Sequence, residues 1–297
     1  MIDHFFIETK KISKNYHEKK ALVSVNLSLA EGQFIALIGP NGSGKSTLMR
    51  LLSLREPLSF GEIFYLGKNL NNLCLPYLEN LMYLTEDLEL PISESIIWWK
   101  NIFEKKNTSF SSEKFSVFME KFNLNPAEKI DSLSRGQKVK ALFSLKAAMQ
   151  PKIYILDEIT ATMDAGSRWY LMEFLDQEVK NNKALVVMST NIASEMNGFA
   201  SQICVMSNGQ VELFCAKSEI GVLFDKLRIK KEDSDLIKIV LKLGARKISV
   251  NADGSYCFII KKNMITDCQI FDRREITIEE VAIYFTASTQ AVKGIST

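Results

Sequence analysis

The sequence is poor in histidine and has no long apolar run. Only two of its 297 residues are histidines, His4 and His17, which excludes a histidine-rich metal site. The longest apolar runs, such as 34–38 and 184–188, have the length of buried strands and fall far below the roughly 18 residues of a membrane-spanning helix. The N-terminus lacks the basic and then apolar layout of a signal peptide. We therefore expect any action on a membrane to take place from the cytoplasmic side, through a partner.

Cysteine pairs and an excess of charge are also missing. The chain has an odd number of cysteines and no CxxC spacing: Cys74, Cys204, Cys215, Cys257 and Cys268. This pattern predicts small buried side chains in a reducing compartment. The net charge is only +2, from 37 basic and 35 acidic residues. We therefore expect no nucleic-acid partner, because such binding normally needs a strong basic excess.

The larger part of the chain predicts an α/β domain over residues 1–227. Short β-type segments fill residues 4–38, and strands and helices alternate again from 153 to 198. This alternation indicates a mostly parallel sheet covered by helices. Between residues 87 and 150 the periodicity is helical, which predicts a helical subdomain inserted into the α/β core.

A smaller unit is predicted for residues 228–297, after a run of charged residues that is typical of a linker. It contains a helical stretch near 234–243, a hairpin turn at Asp253-Gly254 and a last helical stretch near 277–287. These elements predict a small α+β domain. No motif assigns it a role, so dimerisation, regulation and simple stabilisation all stay open.

Residues 39–47 form a phosphate-binding motif. They fit GxxxxGK[ST] between an apolar strand and a helix, in the order Gly39, Pro40, Asn41, Gly42, Ser43, Gly44, Lys45, Ser46 and Thr47. Glycines let successive backbone N–H groups curl around a polyanion, and the helix that follows points its positive end at it. Lys45 is expected to reach the β- and γ-phosphates, and the Ser46 hydroxyl is expected to bind Mg²⁺. The motif therefore predicts a site for a nucleoside triphosphate.

Two acidic residues, Asp157 and Glu158, follow the apolar strand 153–156. In α/β proteins, ligand sites lie at the carboxyl ends of such strands, where the phosphate-binding loop is also expected. Asp157 would hold Mg²⁺ through water, and Glu158 would polarise the attacking water as a general base or orient it. Together with the phosphate loop, the pair predicts an Mg²⁺-dependent ATPase that converts ATP and water into ADP and phosphate.

Between those motifs stands a third one, Leu-Ser-Arg-Gly-Gln at 133–137. With it, residues 4 to about 215 resemble the ATP-binding cassette family, whose signature is LSGGQ. The resemblance implies a P-loop NTPase cassette with a mixed sheet core and a helical subdomain. It also implies a head-to-tail dimer in which the signature helix of one subunit completes the ATP site of the other. Ser134 and the backbone of Gly136 are predicted to begin a helix whose positive end suits the γ-phosphate opposite.

The resemblance implies roles for two more residues. Tyr16 stands where the family has an aromatic residue that stacks on adenine, although a half-buried strand tyrosine is the alternative. Asp164 ends the segment 161–164, which resembles the loop through which the two ATP sites communicate. It could equally be the N-cap of the next helix, or serve both purposes.

Two positions depart from the family pattern. Asn191 stands where the family usually has a histidine; it can donate a hydrogen bond to the γ-phosphate but cannot hold and pass a proton. Glu86, or Asp87 in another alignment, replaces the usual glutamine. A carboxylate there could ligate Mg²⁺ and act in hydrolysis, but its repulsion of a phosphate charge is worth about 4 kcal/mol at 4 Å and a dielectric constant of 20. We therefore expect ATP binding and dimer closure with slow or partner-dependent hydrolysis.

The order of the motifs looks most like the single-cassette subunits of bacterial export-type transporters. That resemblance implies an integral membrane permease subunit as partner, a second cassette that is identical or different, and a place on the inner face of the cell membrane. Trp98 and Trp99 lie where a permease contact is expected, and core packing is the alternative for them. Two other functions stay open: a soluble cassette that acts as a nucleotide switch, and an ATP-binding but weakly catalytic partner of another cassette.

Overall fold

The computed structural model describes residues 5–70, 75–85, 93–190, 192–264 and 275–286. The strands are β1 (Phe5–Tyr16), β2 (Lys19–Ala30), β3 (Phe34–Ile38), β4 (Phe60–Tyr65), β5 (Lys68–Asn69), β6 (Leu81–Thr85), β7 (Ile153–Asp157), β8 (Leu185–Ser189), β9 (Gln202–Ser207), β10 (Gln210–Ala216), β11 (Phe224–Ile229), β12 (Arg246–Val250) and β13 (Tyr256–Lys261). The helices are α1 (Lys45–Leu52), α2 (Leu75–Glu79), α3 (Ile96–Lys106), α4 (Ser112–Lys121), α5 (Arg135–Ala147), α6 (Ala165–Asn182), α7 (Ile220–Leu223), α8 (Ser234–Lys242) and α9 (Ile278–Thr286). Among the helices of these ranges, none is long and apolar enough to span a membrane.

The central sheet has the strand order β10-β9-β3-β8-β7-β6. Its neighbouring strands are parallel, except that β10 forms an antiparallel hairpin with β9. Every residue of β3, β7 and β8 is buried, which is why these strands are continuous apolar runs in the sequence. The predicted mixed sheet is confirmed. Because β3, β8 and β7 are parallel neighbours, their carboxyl ends meet at one edge of the sheet.

A second, antiparallel sheet has the order β2-β1-β4-β5. Its apolar face, α1 and one face of the central sheet share a core that includes Ile12, Leu22 and Leu51. The other face of the central sheet packs against α5 and α6. The phosphate-binding loop therefore leaves a strand that is covered on both faces, and its position is fixed from both sides.

The helical insertion contains α3, α4 and α5, as predicted. Helix α3 begins after the N-cap Ser95 and α4 after the N-cap Ser111, whose side chains accept hydrogen bonds from Trp98 N and Lys114 N. Phe118 of α4 lies 5.5 Å from Phe143 of α5, between ring centroids, in an edge-to-face contact. Such contacts stabilise the insertion and attach it to the helix that carries the signature motif.

The C-terminal elements form a third sheet, β11-β13-β12. Strand β11 begins at Phe224 and includes Arg228 and Ile229, so the charged run from residue 228 starts inside a strand. Helix α8 packs on this sheet through Ile237 and Val240. Residues of α9, among them Ile278, are buried with the main core instead. The division of the chain at residue 228 stays a prediction.

The cysteines of the described ranges are buried thiols: Cys204, Cys215 and Cys257. Burial raises the pKa of Cys204 to about 12 and that of Cys215 to about 11. Both thiols are therefore protonated and unreactive near neutral pH. Cys74 and Cys268 lie outside the described residues.

Candidate functional site

The predicted motifs converge at the carboxyl edge of the central sheet. The phosphate-binding loop connects β3 to α1, Asp157 ends β7 and Glu158 follows that strand. They line one cleft of about 760 Å³. Its lining residues are Tyr16, Lys19, Ala21, Asn41, Gly42, Gly44, Lys45, Ser46, Thr47, Arg50, Arg55, Glu56, Tyr83, Thr85, Asp157 and Glu158. The cleft therefore brings a cationic loop and two carboxylates to the same place.

Two glycines of the loop are required by close backbone contacts. A Cβ atom on Gly39 would lie 2.3 Å from the carbonyl oxygen of Met206, and one on Gly44 would lie 2.9 Å from that of Ala21. Gly44 also has a φ of 106°, which L side chains rarely adopt. Gly42 has a φ of 80°, and apart from its chain neighbours no described residue has an atom within 4 Å of the position of a Cβ, so the loop is open on the cleft side.

Lys45, the first residue of α1, is a buried cation beside the loop. It is only 4% exposed, and its Nζ donates to the carbonyl oxygens of Gly39 at 2.7 Å and Pro40 at 3.3 Å. Burial lowers the pKa of Lys45, while the charges of Glu158 and Asp157 act in the opposite direction. A nearby anion stabilises the charged form of a lysine that is buried in this way. The loop also contains Ser43 Oγ, a buried atom without a hydrogen-bond partner in the described part of the chain. These features fit a polyphosphate.

The two acidic residues are held by the neighbouring strand β8. Ser189 Oγ donates to Asp157 Oδ1 at 2.6 Å, and the Glu158 backbone N–H donates to Ser189 Oγ at 3.0 Å. Glu158 Oε1 lies 4.0 Å from Lys45 Nζ. Ser46 lines the same cleft as Asp157, so the hydroxyl and carboxylate oxygens that Mg²⁺ prefers are present together.

Tyr16 lies at the rim of the cleft and is 37% exposed. Its hydroxyl donates to the carboxylate of Glu56, and both burial and Glu56 raise the pKa of Tyr16. Glu56 also pairs with Arg50 at 3.1 Å and with Lys14 at 3.6 Å. We did not predict this cluster from the sequence, because Glu56 stands in a loop and no motif includes it. The exposed ring is placed where it could stack on a base, and that role stays a prediction.

The signature motif begins α5, as predicted. Ser134 is the N-cap and forms a capping box with Gln137: Gln137 N donates to Ser134 Oγ at 3.3 Å and Ser134 N to Gln137 Oε1 at 2.9 Å. A Cβ on Gly136 would lie 2.3 Å from the carbonyl oxygen of Thr162. The signature glycine therefore permits close contact with the 161–164 loop of its own chain. Neither Ser134 nor Gly136 lines the cleft.

Asp164 is the N-cap of α6. Its Oδ1 accepts from Ser167 N at 2.9 Å, and its Oδ2 lies 3.2 Å from Lys140 Nζ of the signature helix. The Ser167 N–H, with the Ser167 hydroxyl and Lys140, holds the pKa of Asp164 well below its usual value. The capping alternative is thus present in the structure. Asp164 does not line the cleft, and its part in communication between sites stays a prediction.

Two predicted residues cannot be placed. Glu86, with the alternative Asp87, and Asn191 lie outside the described residues. Thr85, which precedes Glu86 in the sequence, ends β6. Thr190, which precedes Asn191, follows β8. Both threonines stand at the edge of the sheet that carries the cleft. Their predicted roles toward the γ-phosphate and Mg²⁺ stay predictions.

Comparison with known proteins agrees with this geometry. Residues 22–161 match the model of a family described as ABC transporter. The chain has the fold of an ABC-type ATPase cassette. A dimeric ATP-binding cassette, MJ0796, in a post-hydrolysis state bound to ADP and Pi, has the same fold with a TM-score of 0.61 at 22% identity, over 71% of this chain and 98% of that one. The predicted P-loop cassette fold, ATPase class and ATP-binding character are therefore confirmed, and the predicted small C-terminal α+β domain stays a prediction.

Two curated relatives of the cassette are import proteins by name. The sulfate/thiosulfate import ATP-binding protein CysA of Thermosynechococcus vestitus is 29% identical over 227 residues, which cover 72% of this chain and 65% of that protein. The aliphatic sulfonates import ATP-binding protein SsuB of Zymomonas mobilis is 27% identical over 216 residues, 70% of this chain and 84% of that protein. The chain thus covers less than two thirds of the length of CysA.

Proposed function

We propose that this cassette binds Mg²⁺-ATP in the cleft and couples its hydrolysis to a membrane transporter. The observation that carries the proposal is the convergence of the open phosphate-binding loop, the buried Lys45 and the carboxylates of Asp157 and Glu158 in one cleft. Burial disfavours the charge of Lys45, which is 4% exposed, and a triphosphate in the cleft would add to the stabilisation that Glu158 and Asp157 already give it.

The cleft residues that the sequence motifs predicted have these parts in the proposal. The loop amides and Lys45 hold the β- and γ-phosphates, and Tyr16 stacks on the adenine ring. Ser46 and Asp157 would hold Mg²⁺, which, when bound, neutralises charge on the phosphates. Glu158 lies 4.0 Å from Lys45 Nζ, so its carboxylate stands beside the group that binds the γ-phosphate and can orient or deprotonate a water there.

We further propose that two cassettes pair head to tail around ATP. Ser134 and Gly136 begin a helix but do not line the cleft of their own chain. Ser134 and Arg135 are exposed, so the positive end of α5 is free to meet a phosphate that belongs to another subunit. The similar cassette MJ0796 is dimeric in its post-hydrolysis state, which supports this arrangement. The second cassette is either a copy of this chain or a different one.

A permease of the inner membrane face is the proposed partner, and its contact surface is the start of α3. Trp98 is 43% exposed, whereas Trp99 packs against it with ring centroids 5.0 Å apart and against the main core. Phe103, about one turn after Trp99 on α3, lines a groove of about 380 Å³ together with Leu78 and Met149. An exposed tryptophan is a common anchor in protein interfaces.

For the direction of transport we propose import. The motif order led us to predict an export-type subunit, but CysA and SsuB are both named import ATP-binding proteins. The export-type prediction has no support from these relatives. The weakly catalytic alternative keeps one observation in its favour, the Asn191 that replaces the usual histidine.

The proposed partner contact can be tested by affinity purification in mild detergent from cells that contain the native partners. We expect an integral membrane protein to co-purify with the parent chain and Trp98→Ala to reduce its yield several-fold, because interface tryptophans often contribute 2 kcal/mol or more, about a 30-fold change in affinity. Trp169→Ala is the matched control, since Trp169 is 61% exposed on α6. Ribosomes or DNA in place of a membrane protein would refute the transporter proposal, and equal yields from both variants would refute the role of Trp98.

A further inference from the structure

We propose that Ser189 is a positioning residue of the hydrolytic centre, which holds both Asp157 and Glu158 in place. The inference rests on the proposed function of the cleft. Ser189 is the last residue of β8, and it belongs to none of the three motifs that define the site. It does not line the cleft, so its hydroxyl acts on hydrolysis through the two acids that it contacts.

The strand register places Ser189 between the two parts of the site. On one side it pairs with Leu37 of β3, two residues before the phosphate-binding loop, and on the other side with Asp157 of β7. It is fully buried, with no exposed surface. Its hydroxyl is therefore shielded from water and can make only fixed hydrogen bonds inside the sheet edge.

A single hydroxyl group serves both acidic residues. Ser189 Oγ donates its proton to Asp157 Oδ1 at 2.6 Å and accepts the Glu158 backbone N–H at 3.0 Å. A charge-assisted bond of this length fixes the plane of the Asp157 carboxylate, and with it the direction of the second oxygen. The bond to Glu158 N–H fixes the backbone from which the proposed water-activating side chain projects.

The backbone of Glu158 needs such support. Its φ is 54°, in the left-handed region that residues other than glycine rarely adopt. Conformations of this kind persist only where the surroundings hold them. The described hydrogen bonds of the Glu158 N–H go to Ser189, to the hydroxyl at 3.0 Å and to the carbonyl at 3.3 Å. Without the hydroxyl, the turn that aims Glu158 at the cleft would lose its shorter bond.

A purely structural role is the competing explanation, and the chain offers a matched control for it. Thr9 in β1 is also buried, and its hydroxyl likewise makes two hydrogen bonds: it donates to Val25 O at 3.3 Å and accepts from Leu27 N at 2.8 Å. These bonds join only main-chain atoms of the β1–β2 sheet. Thr9→Val therefore removes a buried hydroxyl that also makes two hydrogen bonds, and it leaves the hydrogen bonds of Asp157 and Glu158 unchanged.

The test compares Ser189→Ala, Ser189→Cys and Thr9→Val in the full chain. For Ser189→Ala we expect kcat for ATP to fall about 10- to 100-fold. We also expect the ATP-bound protein to bind Mn²⁺ roughly tenfold more weakly, as measured by electron paramagnetic resonance. Losses of this size are typical for residues that orient metal ligands. The KM for ATP should change less than about threefold, because the phosphate contacts are retained. Ser189→Cys fills the same space with a weak hydrogen-bonding group, so it should show the same losses even if Ser189→Ala folds poorly.

A readout without nucleotide separates the two explanations. Amide hydrogen exchange of peptides that span residues 153–163 should be faster in both Ser189 variants than in Thr9→Val, because the Glu158 N–H loses the shorter of its two described hydrogen bonds. Unchanged kcat, Mn²⁺ affinity and exchange in both Ser189 variants, with a loss of thermal stability like that of Thr9→Val, would overturn the inference. Absence of ATP hydrolysis in the parent chain would instead overturn the proposed function itself.

Discussion

Glu158→Gln is expected to lower the ATP turnover of this cassette about 100- to 10,000-fold, the range of a lost general base, while ATP binding is kept. The substitution conserves shape and leaves the backbone bond to Ser189 unchanged. It removes a negative charge that lies 4.0 Å from Lys45 Nζ, on the side where the γ-phosphate is proposed to bind. The affinity for ATP should therefore stay the same or rise. Single-turnover hydrolysis and titration calorimetry measure the two effects separately.

The control for this prediction is Glu120→Gln, the same chemical change on the exposed face of α4. It should leave both turnover and ATP affinity within about twofold of the parent, as expected for a surface substitution. If Glu158→Gln hydrolyses ATP as fast as Glu120→Gln does, Glu158 is not the residue that activates water. The role of Asn191 and of Glu86 would then become the first alternative to examine.

Lys45→Met is expected to weaken ATP binding by about 10- to 100-fold, because hydrogen bonds to charged groups contribute about 1.5–3 kcal/mol. The stability of the nucleotide-free protein should change little, for two opposing reasons. Methionine fills the space of the lysine stem and removes the cost of burying a charge that is 4% exposed, while the bonds to Gly39 O and Pro40 O are lost. Titration calorimetry and thermal denaturation without nucleotide check these expectations.

A matched control for Lys45→Met is Lys121→Met on the exposed face of α4, which should bind ATP like the parent. Equal ATP affinities of the two variants would mean that the triphosphate does not lie in the phosphate-binding loop. A large loss of thermal stability in Lys45→Met alone would show that its bonds within the loop matter more than the cost of its burial.

The parts of the site that sequence reasoning predicted are those with local signals. The loop at 39–47 combines glycines, a lysine and a flanking apolar strand within a dozen residues. Asp157 ends a strand that is buried on both faces, and Glu158 follows it. Both the apolar run of this strand and its end can therefore be recognised in the sequence. The helical insertion was predicted from its helical periodicity alone; the N-caps Ser95 and Ser111 are found in the structure.

The features that were missed depend on contacts between distant segments. Strand β4 pairs with β1 across more than 45 residues, and only Ile63 of its six residues is buried, so no alternation marks it. The bond from Ser189 to Asp157 depends on β8 and β7 being neighbours in register, which no local pattern specifies. The cluster of Glu56, Tyr16 and Lys14 likewise joins a loop to the end of β1. In each case the partners are chosen by tertiary packing.

The contact between the signature helix and the 161–164 loop links two predicted parts of the cassette. Gly136 approaches the Thr162 carbonyl so closely that a Cβ would lie 2.3 Å from it, and Lys140 of the same helix lies 3.2 Å from Asp164. A helix proposed to bind the nucleotide of one subunit is thus joined to the segment that follows Glu158 in its own chain. This connection gives a physical route by which the two proposed ATP sites could influence each other.

A crystal structure of Glu158→Gln with ATP and Mg²⁺ tests the central claim most directly. We predict the triphosphate against the backbone amides of residues 39–47, with Lys45 Nζ within hydrogen-bond distance of it and Ser134 and Gly136 of a second copy on its far side. ATP bound away from residues 39–47 would contradict the account.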